Sequence, residues 1–127
     1  MTTSKTLQSQ DIQAAISEGM SNFSTAKAIG CCRVYVCINI VAPIDILMQG
    51  KRASRAWSKT FNQTVIPAIE SACQDMGKIF HRNGHGVQNA IYIGYDNCTG
   101  KEIGQANAVA ERLKAIGIPA ITEVVGD

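Results

Sequence analysis

The sequence predicts a small α/β domain with a mostly parallel sheet and its elements in the order α-β-α-β-α-β. Runs of β-branched and aromatic residues predict three strands, and stretches with apolar residues every three or four positions predict a helix before each strand. Strands that alternate with helices pair in parallel through right-handed crossovers, which gives a three-layer domain. The 127 residues suffice for a single domain, 1–127, and we expect residues 1–8 to be flexible.

The first two elements are a helix that begins near Ser9 and a strand over residues 34–41. Ile12 and Ile16 have the spacing of a buried helix face. The strand is almost entirely apolar, which predicts that both of its faces are covered. Pairing should stop at Pro43, because proline cannot donate a hydrogen bond to a neighbouring strand.

A long helical region follows, from Ser54 to the Asn83-Gly84 pair, where the glycine suits the positive φ of a C-cap. Its apolar stripe consists of Ile66, Ile69, Cys73, Met76 and Phe80. An alternative makes residues 77–83 a strand and residues 83–89 a hairpin turn. That alternative gives the βαββαβ order of a ferredoxin-like fold after an extra N-terminal helix. We prefer the helix because its stripe continues without a break to Phe80.

The last three elements have the clearest boundaries. A strand over residues 90–95 precedes a helix that Thr99 and Glu102 begin with the spacing of a capping box. Gly117 ends this helix, and a strand over residues 120–125 follows.

Composition limits the classes of function. No apolar run reaches the ~18 residues that cross a bilayer, and the first residues lack the apolar core of a secretion signal. We therefore expect a cytoplasmic protein whose five cysteines are reduced and too scattered for a zinc site, so we predict no metal. The charged fraction of 17% favours a homo-oligomer, and the net charge of +2 predicts no strong binding of polyanions.

Polar residues follow the first two predicted strands. Ligands bind beyond the carboxyl ends of strands in open parallel sheets, so Asp45 and Asp96 would share one rim if those strands are neighbours. After Asp96, the side chains of Asn97 and Thr99 offer hydrogen bonds, and the amides of Gly100 and Lys101, at a helix start, can receive a phosphate. The same residues are also typical of plain turn and capping chemistry. The sequence thus predicts a ligand-binding rim.

A cationic stretch opens the long helical region. Arg52, Arg55 and Lys59 share one helix face, and Trp57 lies between them. Cations beside an aromatic ring can hold phosphates and stack a base, although a solvated helix start with Trp57 packed inward explains the same pattern. Together with the rim, this stretch predicts a protein that binds a phosphate-bearing ligand, either a nucleotide or nucleic acid. Arg52 or Arg55 would supply the charge, and the sequence identifies no cofactor.

Two segments resemble toprim-type domains of primases, topoisomerases and small nucleases. Residues 91–121 look like the last strand-helix-strand of that family, and residues 35–47 look like its first strand. The resemblance implies a magnesium site in which Asp45 and Asp96 match two of the carboxylates. The family's catalytic Glu, the following Gly and the second Asp of Asp-x-Asp are replaced by Val41, Ala42 and Cys98. Too few oxygen ligands are left for a magnesium ion.

Two further hypotheses remain open. One is a small oligomeric enzyme that acts on a polar metabolite at a subunit interface, with His85, Glu70 or Asp96 as acid or base. His85 lies between two glycines and titrates near neutral pH, and Glu70 lies among the apolar residues of the long helix. Cys98, just before a helix start, is a weaker candidate for a nucleophile. The other hypothesis is a structural or assembly protein, and the sequence does not decide whether the chain is an enzyme.

Overall fold

The computed structural model describes residues 8–38, 42 and 44–126. In chain order the elements are α1 (Ser9–Ser21), β1 (Cys31–Ile38), α2 (Ile44–Leu47), α3 (Lys51–Thr60), a π-helical turn (Phe61–Val65), α4 (Ile66–Asp75), β2 (Phe80–Gly84), β3 (Val87–Asn97), α5 (Lys101–Ala115) and β4 (Ala120–Gly126). The predictions made for residues 1–7, Val41 and Pro43 fall outside the described residues.

The four strands form one antiparallel sheet in the order β2-β3-β1-β4. The prediction of a mostly parallel sheet with an α-β-α-β-α-β order is therefore wrong. After α1 the elements follow the order β-α-β-β-α-β, which is the element order of the ferredoxin-like alternative.

The long helix ends earlier than its apolar stripe suggests. α4 stops at Asp75, and Gly77 follows with a φ of 69°. The N–H of Lys78 donates to the carbonyl of Cys73 at 2.8 Å, which is the reversal typical of a helix C-terminus. Phe80 already belongs to β2 and packs against the same core as the helix stripe. The apolar stripe therefore continues from α4 into β2, and the spacing of its residues does not reveal where the helix ends.

The segment predicted as a helix C-cap is a tight β-hairpin. Gly84 pairs with Val87, and the two residues between them, His85 and Gly86, have φ angles of 55° and 81°. Two consecutive positive φ angles define the type I′ turn, which matches the twist of antiparallel strands. Glycine favours a C-cap and a hairpin for the same reason, so Gly84 and Gly86 alone do not distinguish them. This hairpin adds a strand, β2, before β3 and so reverses the direction of β3. As a result β3 runs antiparallel to both β2 and β1.

In the described part of the chain, helices pack on only one face of the sheet. Buried residues of α1, α4 and α5 form a single core with Cys32, Val34, Val36 and Ile38 of β1. A separate small cluster on the other face, built on Tyr35, contains no helix residue. The three-layer prediction is therefore wrong, because the described helices cover only one face of the sheet.

Helix α1 contacts both α4 and α5. Gly19 makes the close approach to α5 possible, because a Cβ at this position would lie 2.6 Å from the backbone nitrogen of Val109. The predicted end of α5 is confirmed: Gly117 follows it with a φ of 92°, and the N–H of Ile118 donates to the carbonyl of Leu113 at 2.9 Å.

Candidate functional site

The predicted ligand-binding turn after β3 is organised around the carboxylate of Asp96, which is fully buried. Its Oδ1 accepts hydrogen bonds from the backbone N–H groups of Thr99 and Gly100, both at 2.9 Å, and from the Thr99 hydroxyl at 3.3 Å. Its Oδ2 accepts a hydrogen bond from the N–H of Ile103 at 3.2 Å. The sequence predicts a phosphate at the start of α5, but the Asp96 carboxylate already occupies that position.

Asp96 takes the capping role that the sequence assigns to Thr99 and Glu102. The N-cap residue is Gly100, with a φ of 77°, and the Thr99 hydroxyl accepts a hydrogen bond from the N–H of Lys101 at 3.2 Å. Burial alone would raise the pKa of Asp96, but the hydrogen bonds from Gly100 and Thr99 outweigh it and hold that pKa below its usual value. Asp96 is therefore a charged helix cap at neutral pH.

The structure separates the other predicted ligand residues from Asp96. The N-terminal end of β1 pairs with the C-terminal end of β3, so Asp96 lies beside the start of β1. Asp45, Arg52 and Arg55 follow the opposite end of β1, on α2 and α3, where all three are exposed. The expectation that Asp45 and Asp96 share a rim is wrong, because it depended on parallel strands.

The three predicted acid or base residues lie on different elements of the fold. Glu70 of α4 forms a half-exposed ion pair with Arg82, with a distance of 2.8 Å between Oε1 and Nη1. His85 lies in the hairpin that precedes β3, whereas Asp96 lies near the other end of that strand. His85 instead contacts His81, with 4.6 Å between the ring centroids.

The face of the sheet without helices, which we call the open face, carries the side chains that alternate with the core residues along each strand. Its residues include Arg33, Tyr35, Cys37, His81, Asn83, Gln88, Ala90, Tyr92, Tyr95, Ile121, Glu123 and Val125. Tyr35 lies at the centre of this face and is only 2% exposed. Glu123 is exposed, and Arg33, His81 and Tyr92 are half-buried. Apolar, aromatic and charged groups thus meet on one surface.

Four aromatic rings form a connected chain across the open face. Tyr35 lies 5.3 Å from Tyr92, at an interplanar angle of 55°, and 5.8 Å from His81, at 73°. The His81 ring in turn contacts His85 at 58°. Tilted and edge-on contacts of this kind are favourable between aromatic rings and fix their orientation. The open face therefore offers the half-buried rings of Tyr92 and His81, both in contact with the buried ring of Tyr35.

Protonation on the open face follows from burial and neighbouring charge. Burial, and then the nearby charge of His85, lower the pKa of His81. Burial, and then Glu123, raise the pKa of the Cys37 thiol to about 11. At neutral pH, His81 is therefore neutral and able to accept a proton, while Cys37 keeps its proton.

A groove of about 760 Å³ lies at the end of the open face next to the hairpin. Its walls are formed by Cys37, Ile38, Asn83, Gly84, Gly86, Val87, Gln88, Asn89, Ile121 and Glu123. Amide and carboxylate side chains lie there beside apolar ones, the mixture that orients a small polar ligand.

Three residues of the open face were not predicted from the sequence as site residues: Arg33, Tyr35 and Tyr92. In β1, Arg33, Tyr35 and Cys37 alternate with the core residues, and this period of two indicates a strand with one face different from the other. The β-branched character of the segment concealed the alternation, because it suggested burial on both faces.

Comparisons with known proteins show no relative: no family model, no curated protein and no solved structure matches the chain. Within the described residues, no group of three or more histidine, cysteine, aspartate or glutamate side chains could hold a metal ion. None of the helices in the same part of the chain is long and apolar enough to cross a membrane. The resemblance to toprim-type domains stays a prediction.

Proposed function

We propose that this cytoplasmic protein binds a nucleotide unit on the open face, either as a free nucleotide or within a short single strand of nucleic acid. One observation carries the proposal: the rings of Tyr35, Tyr92 and His81 contact one another on a sheet face on which no described helix packs, and Arg33 shares that face.

The aromatic rings support stacking of a base. Tyr35 and Tyr92 are direct partners on the two central strands, β1 and β3, and His81 lies beside them on β2. Aromatic side chains on a four-stranded antiparallel sheet form a platform for unpaired bases. A base stacked on such a ring stabilises the complex by ~1–3 kcal/mol. Buried Tyr35 holds the half-buried Tyr92 ring in place, so little side-chain entropy is lost when a ligand binds.

Arg33 supports binding of the phosphate. It lies two residues before Tyr35 on the same face of β1, which places the two Cα atoms about 7 Å apart. That span suits a ligand whose base lies on the rings and whose phosphate meets the guanidinium. Glu123 on the same face, together with a net charge of only +2, disfavours a long polyanion. The charges therefore favour one or a few nucleotides.

The open face replaces the predicted rim after β3 as the place of binding. At that rim the N–H of Gly100 already donates to Asp96, and the N–H of Lys101 donates to the Thr99 hydroxyl. On the open face, by contrast, the Arg33 side chain forms no hydrogen bond or ion pair with another described residue.

Isothermal titration with adenosine monophosphate and with a short single-stranded oligonucleotide tests the proposal. Removal of one charged contact to phosphate costs about 1.5–3 kcal/mol, so we expect Arg33→Ala to weaken binding by about tenfold or more. Tyr92→Leu, which keeps the apolar packing but removes the ring, should weaken binding by a similar factor.

Arg55→Ala is the matched control, because it removes an equally charged residue from exposed α3. We expect this variant to bind like the wild type. Loss of binding in Arg55→Ala with normal binding in Arg33→Ala would place the ligand on α3 instead. No heat of binding for either ligand with the wild type would refute the proposal.

A second candidate is an acid-base enzyme that acts on a polar metabolite, with the open face closed by a second copy of the chain. The contact between His81 and His85 favours it, because the lowered pKa of His81 leaves a neutral imidazole that can accept and return a proton beside a second imidazole. The polar groove at the same end of the face would hold the substrate.

A thermal-shift screen, combined with mass measurement by light scattering, separates the two candidates. Stabilisation by a nucleotide in both the wild type and His85→Gln favours the nucleotide proposal. Stabilisation of a dimeric wild type by a metabolite, absent in His85→Gln, favours the enzyme. A defined oligomer that no ligand stabilises would instead favour an assembly protein.

A further inference from the structure

Two exposed cysteines meet at the end of the sheet opposite the hairpin. Cys31 is the first residue of β1, and Cys98 directly follows the last residue of β3. They are 67 positions apart in the sequence, yet their sulfur atoms are separated by 3.1 Å. The strand pairing brings them together, because Cys31 lies opposite Asn97 in the antiparallel register.

The turn after β3 holds the second sulfur in place. Cys98 has a φ of 61°, a left-handed conformation that non-glycine residues rarely adopt. The Asp96 carboxylate fixes this turn by accepting hydrogen bonds from the backbone N–H groups of Thr99 and Gly100. The Cys31 thiol donates to Oδ1 of Asn97 at 3.2 Å, which orients the first sulfur. The strand register, the turn and the contact with Asn97 therefore together position the two thiols.

We propose that Cys31 and Cys98 are a modification site, at which a reversible disulfide forms by exchange with a small-molecule disulfide such as oxidised glutathione. A disulfide bond is about 2.05 Å long, so the two sulfur atoms need to approach by only about 1 Å. Both thiols are exposed, so a small disulfide can reach them.

The exchange balances in two steps. The Cys31 thiolate attacks one sulfur of oxidised glutathione, the glutathione S–S bond breaks, and the departing thiolate takes up a proton. Cys98 then loses its proton and attacks the Cys31 sulfur of the mixed disulfide, which releases the second glutathione as a thiol. The protein dithiol is oxidised by two electrons, and one glutathione disulfide is reduced to two thiols.

The order of attack follows from the environment of Cys98. The hydrogen bond with Cys31, then burial, raise the pKa of the Cys98 thiol, and the negative charge of Asp96 adds to the effect. Cys98 therefore keeps its proton to higher pH than an ordinary thiol does, so we assign it the second step. The exchange should accordingly accelerate as the pH rises above neutral.

The other thiols are poorer candidates for the same reaction. Cys32 and Cys73 are buried, and burial raises the pKa of Cys73 to about 11. Cys37 is half-buried, and its pKa is also about 11. Cys37→Ser is therefore a suitable control, because it removes one thiol from the opposite end of β1.

Mass spectrometry of the reduced protein after equilibration in glutathione buffers of increasing oxidised fraction tests the proposal. Two of the five thiols should become unreactive towards an alkylating reagent, without a bound glutathione and without dimerisation. Trypsin should then release one cross-linked pair of peptides, AIGCCR (28–33) and NGHGVQNAIYIGYDNCTGK (83–101). Dithiothreitol should restore all five thiols.

Variants identify the partner of Cys98 within the first peptide, which also contains Cys32. The cross-link should be absent from Cys31→Ser and from Cys98→Ser, and these variants should carry one mixed disulfide with glutathione instead. The cross-link should persist in Cys37→Ser. A cross-link that survives in Cys31→Ser, a covalent dimer as the main product, or no loss of thiols in the wild type would each overturn the proposal.

Discussion

Replacement of Asp96 by alanine should destabilise the fold strongly, because the carboxylate is a helix cap rather than an exposed ligand. The variant loses the acceptor for three backbone N–H groups and one hydroxyl. Thr99 is exposed and its N–H can return to water, but the N–H groups of Gly100 and Ile103 belong to buried residues. Loss of a cap costs about 0.5–2 kcal/mol, and each buried unpaired group costs about 1–3 kcal/mol. We expect a loss of roughly 3 kcal/mol and a fall of about 10 °C in the unfolding temperature.

Urea denaturation, with Asp45→Ala as the matched control, measures this effect. Asp45 is an exposed aspartate of α2, and its removal should change the free energy of unfolding by less than about 0.5 kcal/mol. Equal stability of the two variants near neutral pH would refute the capping role.

The same comparison has a defined pH dependence. Because folding lowers the pKa of Asp96, its contribution is fully present above the pKa of the unfolded chain, which is about 3.9, and is lost as the pH falls through the lower pKa of the folded chain. The stability gap between the wild type and Asp96→Ala should therefore narrow in acid. A gap that stays constant down to about pH 2 would contradict this assignment.

Three other predictions follow from packing, titration and the thiol pair. Gly19→Ala should lower the free energy of unfolding by about 1–3 kcal/mol in thermal denaturation, because the new methyl group would lie 2.6 Å from atoms of α5; unchanged stability would contradict this contact. Removal of the charge of His85 in His85→Ala should raise the pKa of His81 in an NMR titration, and an unchanged or lower value would show that the two rings do not interact. Oxidation of the pair Cys31 and Cys98 should raise the unfolding temperature by roughly 10 °C, reversibly with dithiothreitol, because the disulfide closes a long loop of the unfolded chain.

Local signals in the sequence predicted single elements well, and the strand pairing poorly. Gly117 marks the end of α5 without ambiguity, since proline follows two residues later and the apolar stripe stops. The glycines of the hairpin, Gly84 and Gly86, fit either a helix end or a hairpin, because both need a positive φ. The stripe from Ile66 to Phe80 favoured a helix where the structure has β2. Without β2, the predicted direction of β3 is reversed and the predicted sheet is parallel.

The candidate site depended on that choice as well. Parallel strands would have placed Asp45 and Asp96 on one rim, whereas antiparallel strands place them at opposite ends of β1. His85 was predicted from its own chemistry and stays a candidate, now beside His81. Tyr35 and Tyr92 are far apart in the sequence and meet only through strand pairing, so no local pattern could have joined them.

An NMR titration of the wild type with adenosine monophosphate tests the central claim most directly, because it locates the ligand without any substitution. We predict that the largest shifts fall on the side-chain signals of Tyr92 and His81 and on the backbone amide of Arg33. The amides of Thr99 and Lys101, at the start of α5, should stay unchanged. Shifts confined to those two amides, or no shifts anywhere, would contradict binding on the open face.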